Sequence, residues 1–114
     1  GEGMNVTIRQ ILDAVPAMNK LVTADLPLRT AHRLALLTGK LNPHLDFFQK
    51  KQAALEAKGG EGAEEALQAL LDYQVELEEE RIDISLGEEL LLSAVDVNGL
   101  LPFVRFVEGE AQQA

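Results

Sequence analysis

The residues that could carry chemistry in this 114-residue chain are few, and their spacing works against a shared site. His32 and His44 lie twelve positions apart in a stretch of helical periodicity, more than three turns, so one molecule cannot bring both to a metal ion. Each is more simply read as a surface or seam histidine. Glu76, Glu78, Glu79, Glu80 and Asp83 are dense enough to attract a divalent cation, yet they lack the alternating ligand-and-glycine spacing of a calcium loop. Charges that keep a strand edge solvated are the better reading. Gly59-Gly60-Glu61-Gly62 has neither the lysine nor the hydroxyl of a phosphate cradle and reads as a turn. The only serines, Ser85 and Ser93, lack a nucleophile-elbow context, and the absence of cysteine excludes thiolate ligands, thiol nucleophiles and disulfides. No catalytic residue, metal ligand or cofactor is therefore expected, and no enzymatic activity.

Charge is segregated along the chain. The net charge is −9. From Leu28 to Lys58, six basic residues (Arg29, Arg33, Lys40, Lys50, Lys51, Lys58) face Asp46 and Glu56, a net of +4. From Glu61 to Asp96, twelve acidic residues face only Arg81, a net of −11. Opposite signs on the two halves imply that they pack against each other, or against copies of each other. Arg29, Arg33 and Lys40 fall on one helical stripe where phosphate contact could be imagined. With net acidity and no stacking aromatics, a solvated face or pairing with the acidic half is the stronger reading, and no nucleic-acid partner is expected.

The elements that position these residues are mainly helical. Only five of the apolar residues are aromatic, so the core must be built from Leu, Ile, Val and Ala. Met4, Val6 and Ile8 alternate as in a strand, while Thr7 with Gln10 forms a capping-box pattern ahead of Ile8, Ile11, Leu12, Val15, Met18 and Leu21 at helical spacing. A brief strand running into a helix of about three turns is expected, with Pro16 either kinking it or in its first turn. Asp25-Leu26-Pro27 reads as a stop and restart, with Asp25 as cap.

A long helix should follow. Leu34, Leu41, Phe48 and Leu55 recur every seven residues, with Leu37 and Leu45 beside them, making one apolar seam. Gly39 and Pro43 predict a bend near Asn42, and Gly59-Gly60 the end. Glu61 to Tyr73 then folds back as a second helix, completing an αα-hairpin. Ile82, Ile84 and Leu86 alternate as a strand expected to pair with Met4 to Ile8. Ser93 with Asp96 opens a short helix to about Leu100, Phe103 and Phe106 fold back on the core, and Glu108 to Ala114 forms a flexible tail. The expected fold is mainly α with a small β element (α+β), a long-helix αα-hairpin with a short two-stranded ladder, as one domain over residues 4–107. Gly1, Glu2 and Gly3 precede the natural initiator Met4 and read as the remnant of an expression tag.

These residues resemble a family of small, functionally uncharacterised proteins of tailed bacteriophages and prophages, mostly of Gram-positive hosts. The matching features are Met4-Asn5-Val6-Thr7-Ile8, Val15-Pro16-Ala17-Met18-Asn19-Lys20-Leu21, and Leu26-Pro27 leading into Thr30-Ala31-His32-Arg33-Leu34-Ala35. Val75-Glu76-Leu77, Ile82-Asp83-Ile84 and the closing Leu100-Leu101-Pro102-Phe103 are similar to the family's ending. Together they cover most of the chain, each piece being degenerate, and the link between the hairpin helices is shorter here than in the family. The resemblance implies expression in the bacterial cytoplasm during phage development, among genes for virion assembly or lysis, and it brings no catalytic residues.

Two functional expectations follow. The first is a phage assembly or accessory protein that pairs through the seam Leu34, Leu37, Leu41, Leu45, Phe48 and Leu55 with itself, as a homodimer, or with a phage or host protein. The second is an acidic decoy that occupies a basic surface of a host protein by nucleic-acid mimicry. No stretch approaches the roughly 20 apolar residues of a membrane span, and no export signal precedes the first helix, so a cytoplasmic protein with no membrane partner is expected.

Overall fold

Thr7 closes the first strand and opens the first helix. The computed structural model describes residues 3–86 and 90–108. In it Thr7 is the last residue of β1 (Met4–Thr7) and the N-cap of α1 (Ile8–Val22). Its hydroxyl accepts the Gln10 backbone N–H at 3.1 Å, and Gln10 Oε1 accepts the Thr7 N–H at 2.9 Å. Two of the four orphan donors at the helix start are thus satisfied reciprocally. Strand alternation and helical period, which share these letters, are consecutive rather than competing. Ile8, Ile11, Ala14, Ala17, Met18 and Leu21 form the buried stripe of α1, and Pro16 stands in its interior on the exposed side.

The long helix α2 (Leu28–Lys58) has 31 residues, about 46 Å of rise. Pro27 occupies its N-cap with no side-chain bond, so Asp25 is not the cap that the sequence predicts. The first turn is closed by the Ala31 N–H donating to the Pro27 carbonyl at 2.9 Å. Gly39 and Pro43 do not interrupt the helix: Pro43 loses its own donor and crowds the Gly39 carbonyl, but Leu41 and Leu45 on either side pack against the core and hold the helix. Gly59, Gly60 and Gly62 take φ of 62°, 83° and 87° in the turn that follows, a region that side chains rarely adopt. The turn sends α3 (Ala63–Leu71) back along α2, as the hairpin reading requires.

The strand pairing differs from the expected one. Met4 to Ile8 does not pair with Ile82 to Leu86; β1 pairs antiparallel with β2 (Gln74–Leu77), Met4 opposite Leu77 and Val6 opposite Val75. The cause is the length of α3, which returns the chain to the start of α1, where the Ile8 N–H donates to the Tyr73 carbonyl at 3.1 Å. Whatever follows Tyr73 is therefore delivered beside β1. The Ile-rich strand β3 (Ile82–Ser85) pairs instead with β4 (Val104–Val107), in parallel, Ile82 opposite Val104 and Ile84 opposite Phe106. Parallel partners need a crossover, and α4 (Ala94–Leu100) supplies it. Its Ser93–Asp96 capping box forms as predicted. The segment around Phe103 and Phe106 thus does more than fold back on the core: it adds a strand. The expected tail lies, beyond Glu108, outside the described residues.

The fold is mainly α with a small β element, two separate two-stranded ladders among the described residues. One contiguous apolar cluster joins α1, α2, both ladders, Leu100 and Phe103. The molecule is a flat plate of 59 × 30 × 18 Å.

Candidate functional site

The apolar seam of α2 is mostly core, which corrects the expectation that it is a free interaction surface. Leu34, Leu37, Leu41 and Phe48 are buried within the chain itself, Leu45 is half-buried against the same cluster, and Leu55 is half-buried nearer the hairpin tip. The covering elements are α1, α3 and β3. Leu41 and Leu45 meet Ile11, Ala14 and Met18 across a narrow groove, and Leu37 lies beside Ile82. The short helix α4 packs mainly on α1 instead. A sequence reading that assigns only α3 to the seam leaves surplus apolar surface; α1 and β3 remove most of it.

Beyond Phe48 the packing thins. No α2 residue after Phe48 is buried, and α3 has no buried residue at all. Leu55 from α2 and Ala63, Leu67, Leu70 and Leu71 from α3 are half-buried; Leu67, Leu70 and Leu71 pack on the edge of the core cluster, and Arg9 of α1 reaches Gln68 and Asp72. At the base of this hairpin, Phe47 and Tyr73 are both exposed with ring centroids 6.3 Å apart and a tilt of 43°. Lys51 Nζ stands 5.9 Å from the centre of the Phe47 ring, within cation–π range. Neither aromatic was singled out by sequence. The signal was available, because Phe47 follows Lys40 by seven residues and precedes Lys58 by eleven, and so shares their flank rather than the seam.

That flank is the organising electrostatic feature of α2. Arg29, Arg33, Lys40, His44, Lys51 and Lys58 succeed one another at helical spacing along it, whereas Asp46 and Glu56 lie on the other side. Near the body of the molecule the acidic stretch after β2 runs beside it. Glu79 Oε2 is 4.0 Å from Lys40 Nζ, and Arg33, Glu79 and Glu80 line one recess. Glu79 Oε1 is buried with no hydrogen-bond partner among the described residues. Asp83 is held by Arg105, whose Nε and Nη2 reach its two oxygens at 2.7 and 3.1 Å, and this hydrogen-bonded guanidinium lowers the Asp83 pKa. Part of the acidity is thus answered internally, as the charge segregation implies. Toward the tip it is not: Lys58, Glu61 and Glu65 are exposed and make no ion pair with another described residue.

His32 is exposed, and His44 is half-buried at a recess with Asn5, Tyr73, Gln74 and Glu76, so the two histidines are not brought together. Ser93 is spent on its cap. Among the described residues there is no group of three or more histidines and carboxylates placed to hold a metal ion, and no helix long and apolar enough to cross a membrane. Set against protein-family models, curated proteins and solved structures, the chain matches none of them.

Proposed function

We propose that this is a non-enzymatic accessory or assembly protein of a tailed phage or prophage, acting in the bacterial cytoplasm through helix-mediated protein–protein contact. The phage context rests on the sequence resemblance. The contact mode rests on one structural observation: the distal α2–α3 hairpin is thinly covered, with no α2 residue after Phe48, and none of α3, fully buried. A helical pair with half-buried leucines on one side and exposed aromatics on another gains by covering them. The interface is thereby moved from Leu34, Leu37, Leu41 and Phe48, which are core, to the distal hairpin.

Two measurements test the reading. Removing the gene from a phage genome should lower the particle yield or malform the particles while genome replication continues; normal particles in normal number would sink it. Contact with the protein's partner should weaken only modestly between low and high salt, because its anchoring contacts are apolar. Collapse over that range would favour the acidic decoy, which the pairing of Glu79 and Asp83 with Lys40 and Arg105 already makes less apt.

A further inference from the structure

The geometry points to a second copy of this chain as the occupant of the hairpin face that carries Phe47 and Tyr73, with each α2 flank lying across the α3 of its partner. This rests on the reading of the hairpin as an interaction element and goes further by naming the partner and the orientation. The ring contact sets the Phe47 flank of α2 beside the residue that follows the C-cap of α3. On α2 the helical phase of Phe47 continues through Lys51, Ala54 and Lys58; on α3 Ala66 and Ala69 lie a turn apart on one exposed flank, and Tyr73 follows two residues past the helix's last residue, Leu71. All of these are exposed. The face therefore has two aromatic rings at its base, a shallow floor of alanines beyond them, and charge at its tip.

Charge chooses both the occupant and its orientation. The α2 side offers Lys51 and Lys58, and the α3 side offers Glu61 and Glu65, none of them in an ion pair with another described residue. Stacking α2 on the α2 of a partner would set Lys51 and Lys58 against another basic flank, where like charges repel. Stacking α2 on the partner's α3 sets them against Glu61 and Glu65 instead, and a two-fold axis along the hairpin makes the match twice. It also gathers the four aromatic rings at the base of the hairpins. The molecule is thin enough for this, 18 Å in its shortest dimension. The product is a four-helix layer in which the exposed alanines allow close approach.

Its strength follows from its size. From Phe47 to Lys58 the face runs about 18 Å, and two helices side by side span about 20 Å. That footprint is about 360 Å² on each copy, below the standard size of specific interfaces, so a weak, transient dimer that dissociates at about 100 μM is expected.

The test is sedimentation velocity of the full chain from low micromolar to near-millimolar concentration. The wild type should move from 12.4 kDa toward twice that mass. Phe47→Glu with Tyr73→Glu should weaken self-association about 100-fold, a loss typical of removing aromatic anchors, while thermal melting reports an intact fold. Lys51→Glu/Lys58→Glu and Glu61→Lys/Glu65→Lys should each weaken it alone and restore it when mixed, since only the heterodimer is complementary. A wild type that stays at 12.4 kDa throughout overturns self-pairing. So does a dimer indifferent to the aromatic pair, or charge-swapped chains that do not recover on mixing. None of these bears on the particle phenotype, which judges the interaction reading separately.

Discussion

Lys20 Nζ and Asp96 Oδ2 meet at 2.6 Å, joining the last turn of α1 to the first turn of α4. The same oxygen accepts the Ser93 backbone N–H at 3.0 Å, so one carboxylate closes a capping box and binds a neighbouring helix. Asp96 is the one buried charged residue among those described, and its acceptors are used by two donors. This contact fixes where the crossover between β3 and β4 sits on α1. It thereby links the parallel ladder to the rest of the core.

The pH dependence of stability follows from that contact. The hydrogen bond from Lys20, then that from the Ser93 N–H, lowers the Asp96 pKa from its ordinary 3.8, and Arg105 does the same for Asp83. A carboxyl whose folded pKa is depressed contributes stability that is complete above its unfolded pKa and is lost as pH falls through the folded one. Melting temperature should therefore hold from neutrality to about pH 4 and fall from there toward about pH 2. Asp96→Asn should melt lower than wild type at neutral pH and show a shallower acid decline. An unchanged acid limb in that variant would remove Asp96 from the account.

Gly99 and Gly39 should respond in opposite directions to the same substitution. A Cβ on Gly99 would stand 2.7 Å from the backbone oxygen of Asp13, so α4 would have to lift from α1. Gly99→Ala is expected to cost about 1–3 kcal/mol, several degrees of melting temperature. Gly39, inside α2, has nothing within 4 Å of its Cβ position. Gly39→Ala should stabilise by about 0.5–1 kcal/mol through helix propensity alone. Denaturant midpoints of the two variants check both signs.

The seam supports a graded prediction. Leu37 is fully buried in the third turn of α2, and Leu55 only half-buried near its end. Leu37→Ala should cost about 2–5 kcal/mol, through lost transfer energy and the cavity left behind. Leu55→Ala should cost less than half as much in dilute solution. Equal losses, measured by chemical denaturation at low micromolar concentration, would mean that the distal hairpin is as tightly packed as the body.

These contrasts show what was legible in the sequence. The seven-residue recurrence of Leu34, Leu41, Phe48 and Leu55 located the long helix and its buried face, and both capping boxes marked their helix starts, because each is a local pattern. What covers that face was not legible. Nothing near Leu37 announces Ile82, 45 residues away, as its neighbour. Strand partners failed for the same reason: Val75–Leu77 and Ile82–Ile84 alternate alike, and only the length of α3 decides which of them reaches β1. Phe47 was hidden by its neighbour Phe48, since adjacent residues on a helix point about 100° apart and the seam claimed only one.

Removing β1 is the sharpest test of the observed pairing. Among the described residues β2 has no strand neighbour but β1, and a two-stranded ladder that loses one strand is gone. Deletion through Thr7 also strips Val6 from the core and the Thr7 cap from α1. Two point variants separate these losses. Thr7→Ala should cost about 1 kcal/mol as a lost cap, and Val6→Ala about 1–2 kcal/mol as a trimmed core residue. The deletion should exceed their sum, because it also frees Gln74–Leu77 and exposes Val75 and Leu77, both buried under the ladder. Hydrogen exchange locates the damage. Protection should vanish at the β2 amides that bond to β1 and persist in β3 and β4, whose ladder is separate. Loss of protection in β3 instead would mean that the first strand pairs with Ile82–Ser85 in solution after all.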